Sequence, residues 1–204
     1  MRLSWRVALP VVAACLVGVL LPGHVLAQGG PRSGFWIEAG AGTGTLRSAC
    51  SACPSVTVAY GTANHLRLGL TLAPRVLLGL EFFALRSTEL ELAAGAMPVD
   101  AENGSIAPIV IWYVGRSGFF LKGGIGLARG TYTVESTVGP VTTERTGSSI
   151  SFSIGYDIGI TSWLALTANL GTYTSAIGDV PLNGVTVDDL IATVYEAAVG
   201  LTLR

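Results

Sequence analysis

The sequence predicts an all-β protein, an eight-stranded antiparallel up-and-down barrel that crosses a membrane. Three observations lead there. From Ser149 to Ile160, Ile150, Phe152, Ile154, Tyr156, Ile158 and Ile160 alternate with Ser149, Ser151, Ser153, Gly155, Asp157 and Gly159, the period of two of a strand with one apolar face. Only 12% of the 204 residues are charged, against about 25% in an ordinary soluble domain. Beyond the N-terminal segment, no run reaches the roughly 18 consecutive apolar residues of a transmembrane helix.

The N-terminal segment reads as a secretory signal peptide over residues 1–27. Arg2 and Arg6 precede the run VALPVVAACLVGVLL, and Val25, Leu26 and Ala27 offer a cleavage site before Gln28. The rival reading is lipid acylation at Cys15 after Val12, Ala13 and Ala14. The barrel domain then occupies 28–204. Without Arg2 and Arg6, the Lys and Arg fall from twelve to ten against thirteen acids. A net charge near −3 gives no basic surface for nucleic acid.

Strands are expected near 35–46, 62–73, 75–87, 105–114, 118–133, 148–160, 163–174 and 190–203. The first carries Glu38, Gly40, Gly42 and Gly44 on one face. The second places Arg67 and His65 on the equivalent face, and the third Glu81, with Phe82 opposite. The fourth contains Pro108, which cannot donate to a ladder and should mark a bulge or a ragged strand start. On the fifth, Lys122, Gly124, Gly126 and Gly130 oppose Leu121. The sixth is the alternating stretch above, and the seventh and eighth turn Leu166 and Leu201 away from the face that carries Glu196.

Tight turns at 73–75, 115–117 and 161–162 alternate with long polar connections around 47–61, 88–104, 134–147 and 175–189. Their recurrence suits a β-propeller blade of about 40–45 residues, but each interval holds two strands, not four. Short turns at one end and long loops at the other are the pattern of a small transmembrane barrel. A lipocalin-like soluble barrel has the same alternation with the wet face exchanged. Charge decides between them, because the faces opposite the apolar ones hold mostly Gly, Ala, Ser and Thr, which suit a narrow interior better than a solvated surface.

The exported start, the eight strands and the final strand TVYEAAVGLTLR resemble the small outer-membrane β-barrel family, the OmpA-type and porin-like eight-stranded proteins of diderm bacteria. The resemblance implies an outer-membrane location, contact with lipopolysaccharide, assembly by the outer-membrane insertion machinery, and a monomer. Family members usually end in an aromatic residue, whereas this chain ends Leu203-Arg204.

Facing residues across the turn at Pro74 place Arg67 opposite Glu81, with Glu38 on the other side of Arg67 and Glu196 on the strand beside Glu38. A lumen network of Glu38, Arg67, Glu81 and Glu196 is expected, with Lys122 and Asp157 as a second pair. Such charges form either a selectivity ring or a plug of ion pairs. His65 is expected inward near the outer rim. It has no serine two positions on and no legible nucleophile set, so no catalysis is assigned.

Cys50 and Cys53 lie in SACSACPS. A single CxxC supplies two zinc ligands, with no other pair to complete the site, so a disulfide pinning the loop is expected. Glu89, Glu91, Asp100, Glu102, Asp179, Asp188 and Asp189 read as solvated loop charges rather than a cation site. No cofactor or metal is expected. The function read from sequence is a structural or surface-interacting outer-membrane barrel, with a narrow channel for small solutes as alternative and an outer-membrane lipid hydrolase third.

Overall fold

The alternation seen in the sequence lays down eight strands in the computed structural model, which describes residues 33–51, 57–90, 99–115, 117–136, 139–182 and 185–204. They are β1 (Phe35–Ala49), β2 (Thr57–Ala73), β3 (Val76–Leu90), β4 (Val99–Tyr113), β5 (Phe119–Ser136), β6 (Gly139–Gly159), β7 (Leu164–Leu182) and β8 (Val185–Leu203). Each pairs antiparallel with its neighbour and β8 returns to β1, so the sheet closes into a barrel. Closure removes the unpaired edges that a sheet would otherwise expose.

The ladders set the barrel's dimensions. Followed from strand to strand, Ala39 leads through Leu66, Phe82, Ile106, Leu127, Ser148, Ala176 and Ile191 to Ala49. The circuit therefore climbs from residue 39 to residue 49 of β1, a stagger of ten residues. With about 3.3 Å per residue and about 4.8 Å between strands, the strands tilt by about 40° and each residue rises about 2.5 Å along the axis.

On the outside, each strand is apolar from the short-turn end up to one level and more polar beyond it. Leu70, Leu68 and Leu66 give way to Asn64 and Thr62 on β2; Leu80, Phe82 and Ala84 give way to Arg86 on β3. Likewise Ile125 and Leu127 precede Arg129 and Thr131 on β5, and Ile154, Phe152 and Ile150 precede Ser148 and Thr146 on β6. The apolar part covers roughly ten residues per strand, about 25 Å of height, which matches the lipid-facing band of a membrane barrel. Phe35, Trp112 and Trp163 stand exposed at its lower rim, and Tyr60 and Tyr195 at its upper rim. The apolar face of residues 150–160 meets lipid.

The interior reverses this order. Above the belt, where the outer surface turns to Thr, Arg and Glu, the lumen is filled by Leu46, Leu85, Ala101, Tyr132, Ile177, Val180, Leu190 and Val194. Inside the belt it is charged, and near the short turns Trp36, Leu77, Ile111, Tyr113 and Phe120 close it again. The chain thus forms one barrel with two solvents. Its lower half is apolar outside, and its upper half is built like a water-soluble barrel with a packed core.

This explains where the sequence reading departs from the structure. Strands run for 15 to 21 residues, longer than crossing the bilayer requires, and most of the polar connections expected at 47–61, 88–104, 134–147 and 175–189 are strand. Their polar residues belong to the wet outer face of the upper half. Pro108 marks neither a bulge nor a strand start. It lies within β4 facing outward, paired with Leu80, and the β4–β5 register is unchanged across the gap between Ile106 and Ile109. Some inward glycines make room for large neighbours in the lumen: a Cβ on Gly155 would collide with the Phe120 ring, and one on Gly44 with Leu85.

Candidate functional site

At the middle of the membrane zone a layer of charge spans the lumen. Antiparallel pairing places Glu38 opposite Arg67 and Arg67 opposite Glu81, on β1, β2 and β3. Arg67 is fully buried. Its Nη1 donates to Glu38 Oε1 at 2.6 Å and its Nε to Glu81 Oε1 at 2.6 Å. Lys122 reaches across the lumen from β5 to both oxygens of Glu81, and its Nζ also donates to the Tyr173 hydroxyl at 3.1 Å.

That hydroxyl lies 3.1 Å from Glu81 Oε1 and 3.3 Å from Glu196 Oε2. Stacking of the Tyr173 ring on Phe83, with centroids 3.7 Å apart, ties the layer to the apolar core above. Asn169 donates to Glu196 Oε2 at 2.9 Å. His65 completes the group, with Nδ1 2.9 Å from Glu196 Oε1 and Nε2 3.1 Å from Glu38 Oε1. It fits because position 40 is glycine: a Cβ there would overlap the imidazole.

Glu38, Arg67, Glu81, Lys122 and Glu196 are therefore brought together, and Asp157 is not. The expected Lys122–Asp157 pair does not form. Lys122 faces Ser153 in the β5–β6 ladder, while Asp157 lies lower, accepting bonds from Tyr113 at 2.6 Å and Thr167 at 2.8 Å. Its cation is Arg204. His65 also departs from expectation, lying in the charged layer rather than near the rim.

Sequence reasoning missed Tyr173, Asn169 and the role of His65. Of these, His65 was accessible to it: it shares a strand face with Arg67 two residues on, and its ladder partner is Gly40. Cys50 is disulfide-bonded, and Cys53 lies outside the described residues, as does Glu91. Asp100, Glu102, Asp179, Asp188 and Asp189, expected in loops, are in strands. Among the described residues no group of three or more His, Cys, Asp or Glu could hold a metal ion.

No protein-family model and no curated protein matches the chain. Solved structures do. Neisserial surface protein A aligns with a TM-score of 0.55 and 17% identity, over 84% of this chain and 97% of that one. The fold is that of a small outer-membrane β-barrel. The attachment invasion locus protein Ail of Yersinia pestis gives 0.53 at 12% identity, over 84% and 100% of the two chains. A major outer membrane protein of Thermus thermophilus gives 0.50 at 12%, over 84% and 98%.

Proposed function

We propose that the protein is a monomeric barrel of the bacterial outer membrane with a structural or surface-interacting role, and that its lumen is a plug rather than a path. The observation that carries this is the buried ion layer closed above and below by apolar side chains. Ions crossing it would have to displace Tyr132, Leu190 and Val194 and then separate Arg67 and Lys122 from their carboxylates. In barrels of eight strands, side chains fill the interior, and general diffusion channels belong to sixteen strands or more. Planar-bilayer recordings of the purified protein are expected to show no regular conductance steps. Steady steps of porin size would replace the plug by the narrow-channel reading. The lipid-hydrolase reading finds no support at His65, whose ring nitrogens both face carboxylates and which has no serine among its partners.

The upper half carries the surface role. With the short turns in the periplasm, it stands outside the cell, and Arg47, Arg86 and Arg129 face outward within about 4 Å of one height above the belt. That is the level of lipid phosphates, which supports contact with lipopolysaccharide. Arg86 pairs with Glu102 at 3.7 Å and Arg129 with Glu144 at 2.6 Å, while Arg47 lies over the Tyr195 ring at 5.5 Å. Insertion of such a barrel requires the outer-membrane assembly machinery as partner.

Cys50 is disulfide-bonded, and with Cys53, the partner proposed from the sequence, the bridge would close a loop too short to remove much chain entropy. Replacing both cysteines with Ser is therefore expected to leave the barrel folded and resistant to cold SDS, with any change confined to protease sensitivity near residue 50. Loss of folding in that variant would show that the bridge holds more than the loop.

A further inference from the structure

We propose that His65 is held as an imidazolium and acts as a proton-dependent latch across the seam that closes the barrel. The seam is the β1–β8 ladder, where the last strand meets the first. Glu38 on β1 stands opposite Thr202, and Glu196 on β8 stands opposite Gly44, so the two carboxylates lie at different heights along it. His65, on β2, fills the interval and bonds to both.

Its protonation follows from hydrogen-bond chemistry. A carboxylate only accepts, and a neutral imidazole has one N–H; with Glu38 and Glu196 both ionised, only a ring with both nitrogens protonated can donate to Glu196 through Nδ1 and to Glu38 through Nε2. The charge count agrees. The ionisable groups around the ring are Glu38 from β1, Arg67 from β2, Glu81 from β3, Lys122 from β5, Tyr173 from β7 and Glu196 from β8. Three carboxylates face one guanidinium, one ammonium and a neutral phenol, so a neutral imidazole leaves one buried negative charge unmatched and an imidazolium leaves none. Buried charge persists only when it is paired.

Removing the proton therefore does two things at once. It breaks one of the two bonds across the seam, and it leaves two carboxylates sharing a ring that can serve only one of them. The folded barrel holds this proton through contacts that the unfolded chain lacks, so stability should fall as pH rises and the proton leaves. The latch deepens the plug reading but is tested separately from it: conductance decides the plug, and the protonation state of His65 decides the latch.

The test uses the full chain folded in detergent micelles; of its two histidines, His24 and His65, only His65 lies among the described residues, and comparison with His65→Gln assigns its ring signals. Nitrogen-15 spectra of the wild type at about pH 7.5, where a free imidazole is mostly neutral, are expected to show both His65 ring nitrogens protonated. The wild-type melting temperature is expected to drop by several degrees from about pH 6 to about pH 9, and this drop should be clearly smaller in His65→Gln, which keeps Lys122 but has no imidazole to deprotonate. A ring with a single proton, or the same pH dependence in the Gln variant, overturns the latch. Should the Gln variant fail to fold, the wild-type spectrum still decides.

Discussion

Replacing Arg67 by Ala is expected to destabilise the barrel by about 3–5 kcal/mol, the usual cost of stranding buried charge. Among the described residues Arg67 is the sole guanidinium in the charged layer, and it donates to Glu38 and Glu81 at once. Its removal leaves Glu81 with Lys122 and Tyr173, and Glu38 with His65 alone. Urea unfolding of the refolded protein in detergent would measure the loss. Arg67→Lys should recover only part of it, because one ammonium cannot reproduce the fork that spans β1 and β3.

The carboxylates should not respond alike. From the Arg67–Glu81 pair alone, Glu81→Gln would be mild, since Arg67 keeps Glu38. The structure reverses that expectation, because Glu81 is also the carboxylate bonded to Lys122. Glu81→Gln strands a buried ammonium and should approach the Arg67 variant in cost. Glu38→Gln should be milder, since Arg67 retains Glu81 and His65 retains Glu196. Equal stability of the Arg67→Ala variant and the wild type would mean that the layer is solvated, contrary to its burial.

The difference between legible and illegible contacts has a physical origin. Contacts along a ladder follow from pairing: the tight turn at Pro74 sets the β2–β3 register and with it the Arg67–Glu81 pair, while in the β1–β2 ladder a slip of one residue would turn the apolar row of β1 inward, which confines Glu38 to the face of Arg67. Contacts across the lumen do not follow from pairing. Lys122 and Glu81 sit on β5 and β3, which are not neighbours, and whether they meet depends on the barrel radius and on how far a four-carbon stem reaches. Tyr173 lies on β7, further still around the ring. The upper half was illegible for another reason. Residues such as Thr131, Thr133 and Thr142 are polar because they face water outside a packed core, and composition alone reads such a stretch as loop. The alternation of Tyr132 and Val134 with these threonines was the available sign.

Placing an arginine at Ile154 is expected to cost about 2–4 kcal/mol, whereas the same change at Thr146, on the same outward row of β6, should cost about 0–1 kcal/mol. Ile154 lies midway up the apolar belt, with Phe152 and Ile150 above it and Tyr156 and Ile158 below, all exposed on the outer face. A guanidinium there has only hydrocarbon around it. Thr146 lies two outward positions above Ile150, about 10 Å higher than the last apolar residue along this row, where a charge meets headgroups or water. Unfolding from lipid bilayers measures both. The contrast tests the architecture itself, because a soluble barrel would accept arginine equally at either exposed position. Equal tolerance would place the whole outer face in water, and the apolar belt would then need another partner to cover it. A large cost at Thr146 would instead move the membrane boundary upward and bring the threonine-rich rows of β5 and β6 into lipid, where their hydroxyls and the Arg129–Glu144 pair have no solvent to meet.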